Sequence, residues 1–223
     1  MPADAAPRED GGVSEWPLTV AARASRTHGK RTLAKLLDAA VGELSAHGYH
    51  GARMARIAKA AGVAHGTLYV YFKDKDDLLG ALQVDVDAEL RAALLGMPEL
   101  SAGDGADGGH EALTAWTETV CEVFQRHGAV LQALAEALNH DEQSLAGRAA
   151  LRSMRATTAH MADRIRANAC GSSPELDPEI AGLCLFALIE GGNRAGFRGE
   201  LEVEVSELAA ELTRFVELVA RTD

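Results

Sequence analysis

Residues 61–79 read AGVAHGTLYVYFKDKDDLL. Within this stretch His65, Thr67, Tyr69, Tyr71 and Lys75 crowd together an imidazole, three hydroxyls and an ammonium. These are hydrogen-bond donors of the kind that hold an oxyanion. Lys75 makes the same point through electrostatics. It falls in the first turn of an expected helix, where a cation opposes the macrodipole. An anion bound there removes that cost, because the free amides and the ammonium converge on it. A lysine that is merely solvated, screened by Asp76 and Asp77, is the plainer reading.

The chemistry indicated is anion binding, not bond-making. The chain has no Gly-rich phosphate loop, no HExxH, no GxSxG and no spaced acid pair. Its eight histidines do not cluster, and His47 and His50 lack carboxylate or thiol partners nearby in sequence. No catalytic residue, metal site or cofactor is therefore expected. Cys121, Cys170 and Cys184 are odd in number and widely spaced, as reduced thiols of a cytoplasmic protein are. No apolar run reaches the roughly 18 residues of a membrane span, and the acidic start MPADAAPREDGG lacks a signal-peptide core.

Charge is unevenly placed. The net charge of the 223 residues is −11. Residues 26–75 nevertheless hold nine Lys or Arg (Arg26, Lys30, Arg31, Lys35, Arg53, Arg56, Lys59, Lys73 and Lys75) against Asp38, Glu43 and Asp74. That window carries +6 and the remaining 173 residues −17. A basic module on an acidic body can hold phosphate locally while the body repels indiscriminate contact. A basic helical surface with no partner would look the same.

The elements that must position these groups are helical. Ala and Leu dominate and only 4% of residues are aromatic. Residues 1–25, with Trp16 and Leu18, read as a disordered tail. Leu33, Leu36, Leu37, Ala40, Val41 and Leu44 form one face of a first helix that Gly48 ends. Short helices over 54–61 and 65–72 follow, then a longer one over 75–95 with Asp74 as N-cap and Asp77 completing a capping-box-like pair. Residues 96–109 hold five glycines and a proline and read as a flexible link. Further helices are expected over 111–126, 129–139, 142–169, 178–194 and 203–221. The fold class is all-α with about nine helices: tail 1–25, helix-turn-helix domain 26–79, helical domain 80–223.

Ala58, Gly62 and Leu68 have the grammar of a helix-turn-helix. A small residue lies where the helices cross, a glycine in the tight turn, and an aliphatic anchor on the second helix. Around them stand Leu36-Leu37-Asp38-Ala39-Ala40, Gly48-Tyr49, Ile57-Ala58, Ala61-Gly62-Val63, Gly66-Thr67-Leu68-Tyr69, Tyr71-Phe72 and Lys75 through Leu78-Leu79. In order and spacing these resemble the DNA-binding domain of the tetracycline-repressor (TetR) family of bacterial regulators. The resemblance covers about residues 30–80. Beyond it, only the helical character, the length and a late EGG-like helix break are similar.

The resemblance implies a double-stranded DNA operator as partner, a small-molecule effector of unknown identity, a homodimer and no membrane. His65, Gly66 and Thr67 would open the recognition helix. Val70 would face a base, reading shape or a thymine methyl. Tyr69 and Tyr71 would reach flanking phosphates, as would Lys75, while Phe72 stays in the core. Gly51-Ala52-Arg53-Met54 departs from the family, which starts this helix with Thr or Ser. Arg53 is then expected to supply the phosphate contact as a charge, at a helix start weakened by about 1 kcal/mol. Arg23, Arg26 and Arg31 could reach adjacent backbone or remain a solvated arm.

In the acidic part, Leu185, Ile189, Leu208, Leu212, Phe215, Val216 and Val219 are the candidate dimer face, with Leu183, Phe186, Leu188 and Val205 on the same two stripes; the rival reading is plain core. The candidate ligand residues are Trp116, Phe124, Leu131, Leu134, Met154, Thr158, Met161, Phe186, Glu190 and Asn193, at spacings that a core also shows. Glu190 could meet a ligand or pair with Arg194. Arg148, Arg152 and Arg155 form a basic stripe that reads as solvated. A DNA-binding regulator of repressor type is the expectation. An interaction adaptor, or an activator without an inducer, is the alternative.

Overall fold

The computed structural model describes residues 27–98, 106–140, 144–168, 177–197, 199 and 202–220. The tail with Trp16, Leu18, Arg23 and Arg26, together with Cys170 and the side chain of Val219, lies outside the described residues. Among those described there are nine helices and no strand. They are α1 (Thr27–Gly51), α2 (Met54–Ala60), α3 (His65–Tyr71), α4 (Lys75–Leu95), α5 (Ala106–Arg126), α6 (Gly128–His140), α7 (Leu145–Asn168), α8 (Pro178–Phe197) and α9 (Val205–Ala220).

Local signals explain the first four. Leu36, Ala40 and Leu44 of α1 are buried, one face at helical spacing. Gly48 breaks the helical path with φ 63° and ψ −178°, and one further turn follows to Gly51. Gly62 adopts φ 68° between α2 and α3. There the Gly62 amide donates to the Lys59 carbonyl at 3.1 Å and the Val63 amide to that of Ala58 at 3.0 Å. Those two bonds are the Schellman pair that closes a helix C-terminus. At α4 the Asp77 amide donates to Asp74 Oδ1 at 2.8 Å, and the Asp77 carboxylate accepts from the Lys73 amide at 2.7 Å.

Two apolar clusters divide the molecule. The first joins α1, α2, α3 and α4 as far as Val86 to Val130, Leu134 and Ala137 of α6 and Ala146 and Ala150 of α7. The second joins α4 from Leu90 onward to α5, Met161, Leu185, Ile189 and the inner face of α9. Helix α4, about 31 Å long at 1.5 Å per residue, runs through both.

Two expectations change. Residues 106–109 of the expected link are the first turn of α5; residues 99–105 lie outside the described residues. The late break at Glu190-Gly191-Gly192 is absent, and α8 continues to Phe197. Glycine serves close approach there instead: a methyl on Gly192 would fall 2.8 Å from Leu208 Cδ1. Likewise a methyl on Gly182 would fall 2.8 Å from the Ala162 nitrogen and the Thr158 oxygen, so α7 and α8 touch backbone to backbone.

Gly182→Ala should therefore force α7 and α8 apart and destabilise the protein by about 1–3 kcal/mol. Gly42→Ala, on α1 with nothing within 4 Å, should stabilise it by about 0.5–1 kcal/mol. Urea unfolding midpoints check both, and equal midpoints for the two variants would contradict this account of the packing.

Candidate nucleic-acid interface

Helix α3 is held from behind and bare in front. Leu68 and Phe72 are fully buried against Ile57 and Ala58 of α2. On the other side Tyr69 is 47% and Val70 64% exposed. His65 and Gly66 are exposed, and Thr67 is half-buried. The His65 and Tyr69 rings meet edge to face at 5.1 Å, one turn apart. A methyl on Gly66 would meet nothing within 4 Å, so no internal contact requires glycine at that place. A helix face with an exposed valine and tyrosine beside an unfilled glycine is shaped for an external surface.

Arg53 is exposed at the start of α2, as expected, and its side chain makes no cap. The helix start is nonetheless fixed. Glu43, reaching from α1, accepts the Arg53 amide at 3.0 Å and Arg56 Nε at 2.6 Å on the same oxygen. A tertiary carboxylate thus replaces the missing local cap, which corrects the expectation of a loosely held helix start. Glu43 escaped the sequence reading; its only signal was an acid inside a basic window.

Two expected phosphate contacts turn inward. Tyr71 is only 8% exposed, and its hydroxyl lies 3.4 Å from the Gly29 carbonyl. The reason is its register: three residues after Leu68, it falls on the buried face of α3. Lys75 Nζ donates to the Tyr49 carbonyl at 2.5 Å and sits 4.1 Å from the centre of the Tyr49 ring. Burial depresses the Lys75 ammonium below its ordinary range, with Asp76 and Glu136 opposing the shift. The anions that relieve Lys75 of the helix dipole are the protein's own. Arg56 is likewise engaged within the protein, by Glu43 and by the Gly51 carbonyl. Arg53, Lys59 and Lys73 remain exposed on this module, with Lys30, Arg31 and Lys35 on α1.

Residues 36–82 match the family profile described as bacterial regulatory proteins, tetR family. Over these residues the chain carries a tetR-type domain. The fatty acid metabolism regulator protein of Bacillus subtilis is 50% identical over 48 residues. That match covers 22% of this chain and about a quarter, 25%, of the relative. Solved structures extend the likeness in fold. A TetR-like transcriptional regulator from Rhodococcus sp. RHA1 has TM-score 0.63 at 23% identity, over 86% of this chain and 97% of that one. The fatty acid degradation regulator FadR of Bacillus halodurans has TM-score 0.65 at 20% identity, over 82% and 93%. Beyond the tetR-type domain, the resemblance is one of fold alone.

The expected ligand residues do not gather around a cavity of useful size. Trp116, Phe124, Leu134 and Met161 are core, and the Trp116 indole donates to the Ala93 carbonyl at 3.0 Å. Met154 and Thr158 are half-buried on α7, and Thr158 donates to the Arg155 carbonyl at 3.1 Å. Phe186 packs at the edge of the second cluster, its ring 6.3 Å from that of Phe124. Phe124, Leu131, Glu190 and Asn193 do share a void, but of about 20 Å³, room for about one water. Glu190 pairs with Arg194 at 3.3 Å. The reason is the one its spacing allowed: these apolar positions face neighbouring helices. A cleft of about 350 Å³ lies elsewhere, between α4 and α7, and includes Arg152 of the basic stripe.

Burial alone would raise the Glu43 carboxyl, but its bonds to Arg53 and Arg56, with the Arg56 and His47 charges, outweigh it and hold the group below its ordinary value. A depressed folded pKa contributes stability above the unfolded value and loses it as pH falls towards the folded one. Thermal unfolding from neutral to acid pH should show this loss in the wild type. Glu43→Gln should be less stable at neutral pH and lack that component of the acid slope; parallel pH profiles would rule the assignment out.

Proposed function

We propose that this protein is a homodimeric, ligand-responsive transcriptional regulator of repressor type, which binds a palindromic DNA operator and is released by a small molecule. The observation that carries the reading is the bare face of α3, where a methyl on Gly66 would meet nothing and Tyr69 and Val70 are exposed, while Leu68 and Phe72 anchor the helix from behind. Such a helix enters the major groove with its N-terminal residues at the base edges. Thr67 and Val70 supply a hydroxyl and methyls to bases, and His65 and Tyr69 flank them. Arg53 supplies phosphate charge. Tyr71 and Lys75 act from behind, fixing α3 and the start of α4. A DNA partner also places the protein in the cytoplasm.

Two half-sites need two recognition helices, and α8 supplies a surface to pair them. Ile180, Leu183 and Leu188 are exposed on α8, and Phe215 on α9. The dimer face proposed here keeps Leu183, Leu188 and Phe215 of the two stripes expected from sequence and adds Ile180. Leu185, Ile189, Leu212 and Val216 are buried in the chain's own core and Leu208 packs against it, while the side chain of Val219 lies outside the described residues.

Selection from random duplex DNA should return a palindrome, with affinity falling steeply as salt rises. Arg53→Ala should weaken binding evenly across sequences and lower the salt slope by about 1. Absence of enrichment at low salt would leave an adaptor as the better reading. Leu188→Glu with Phe215→Glu should convert a dimer to a monomer in sedimentation or light scattering. A wild-type chain already monomeric at micromolar concentration would dismiss the proposed face.

A further inference from the structure

The cleft between α4 and α7 has a volume of about 350 Å³, at the small end of ligand sites, which span roughly 300–1,000 Å³. It contains polar groups that the fold leaves unanswered. Gln83 on α4 is only 4% exposed. Its Nε2 donates to the Ala149 carbonyl at 2.9 Å and towards Asp87 Oδ2 at 3.4 Å. Both partners are acceptors, which fixes the orientation of the amide. Oε1 is thus a buried acceptor with no donor. On the α7 side, His160 has a buried Nε2 that also lacks a partner. Unpaired buried polar atoms are costly, and a site built to receive a ligand is one reason to keep them.

Charge narrows the ligand. Arg91 on α4 and Arg152 on α7 line the cleft with exposed guanidiniums. They act on Asp87 through charge and do not hydrogen-bond it. Asp87 accepts the Ser153 hydroxyl. Burial pushes its carboxyl up, against the bonds from Ser153 and Gln83 and the two arginine charges. Two guanidiniums against one carboxylate leave the cleft attractive to an anion. The apolar lining is short: Val84, Leu94, alanines and a glycine. No Phe, Tyr or Trp lines it, so a quaternary ammonium would find no cage. A long acyl chain would find no tunnel.

We infer that this cleft binds a compact organic acid bearing a hydroxyl or amino group, with its carboxylate on Arg91 and Arg152 and its donor on Gln83 Oε1. The inference rests on the ligand-responsive reading above and names its class of ligand. Bound there, the acid bridges α4 to α7 at the place where the first apolar cluster, ending on α4 at Val86, gives way to the second, beginning at Leu90.

The test is thermal unfolding of the full chain with paired probes: malate against succinate, quinate against cyclohexanecarboxylate, and octanoate as a donor-free chain. At least one hydroxy acid should raise the melting temperature and bind about tenfold or more tighter than its partner lacking hydroxyls. Gln83→Leu should abolish that preference, and Arg152→Gln should weaken every acid by about tenfold or more. Arg152 is exposed, so its variant keeps the test decisive if Gln83→Leu fails to fold. No shift with any hydroxy acid, an equal response to octanoate, a preference that survives Gln83→Leu, or affinities unchanged in Arg152→Gln would overturn the inference. Operator binding by the same wild-type protein reads the regulator proposal separately. Probe binding without DNA binding would remove only that proposal, and DNA binding without probe binding only this one.

Discussion

Tyr49 engages a partner through each of its amide, carbonyl and hydroxyl, and its amide ties the DNA-binding module to α6. Its amide donates to Glu136 Oε2 of α6 at 2.8 Å, its carbonyl accepts from Lys75 of α4, and its hydroxyl donates to Asp76. Gln132 holds the other Glu136 oxygen at 2.9 Å. The arrangement depends on Gly48. At φ 63° the chain leaves the α1 path and turns the next amide towards α6, with the carboxylate seated about 3.0 Å from where a side chain would begin. Any other residue would be strained in that conformation and would crowd Glu136. Bonds to charged groups are about twice as strong as neutral ones, so α1, α4 and α6 share one firm junction. A displacement of α6 either carries the end of α1 and the start of α4 with it or breaks charged hydrogen bonds.

Helix α4 extends that junction into the body. Its first three turns belong to the apolar cluster of the DNA-binding module and its last two to the cluster of the acidic part. Between them it carries Gln83, Asp87 and Arg91, spaced four apart and so stacked on one face. Polar residues sit there because neither cluster extends to that face. The α4–α7 cleft and the Tyr49 junction are thus two polar interruptions on a single rigid helix.

The DNA-binding module was legible because its signals are local. Ala58, Gly62 and Leu68 set the turn, Asp74 and Asp77 set the start of α4, and the expected spans of α2, α3 and α4 agree with the observed ones to within a residue. What escaped was the destination of the charges. Lys75 looks like a phosphate ligand in sequence and Arg56 like part of a basic surface, yet their partners Tyr49, Glu136 and Glu43 come from other helices. No local pattern pairs them. The ligand candidates Trp116, Phe124 and Met161 are large and periodic, which is also what a core demands, and all three are buried.

Helix α8 shows how one apolar stripe can satisfy two demands. Leu185 and Ile189 point into the second cluster, while Ile180, Leu183 and Leu188 stay exposed. A helix apolar all round needs burial on more than one side. Within one chain, α5, α6, α7 and α9 pack on the inner side of α8, and Gly182 and Gly192 let α7 and α9 approach closely. The outer leucines are therefore not spare core. They are surface whose exposure is unfavourable in water, and a second copy of the same helix, itself apolar at the same positions, can remove that exposure without any new chemistry.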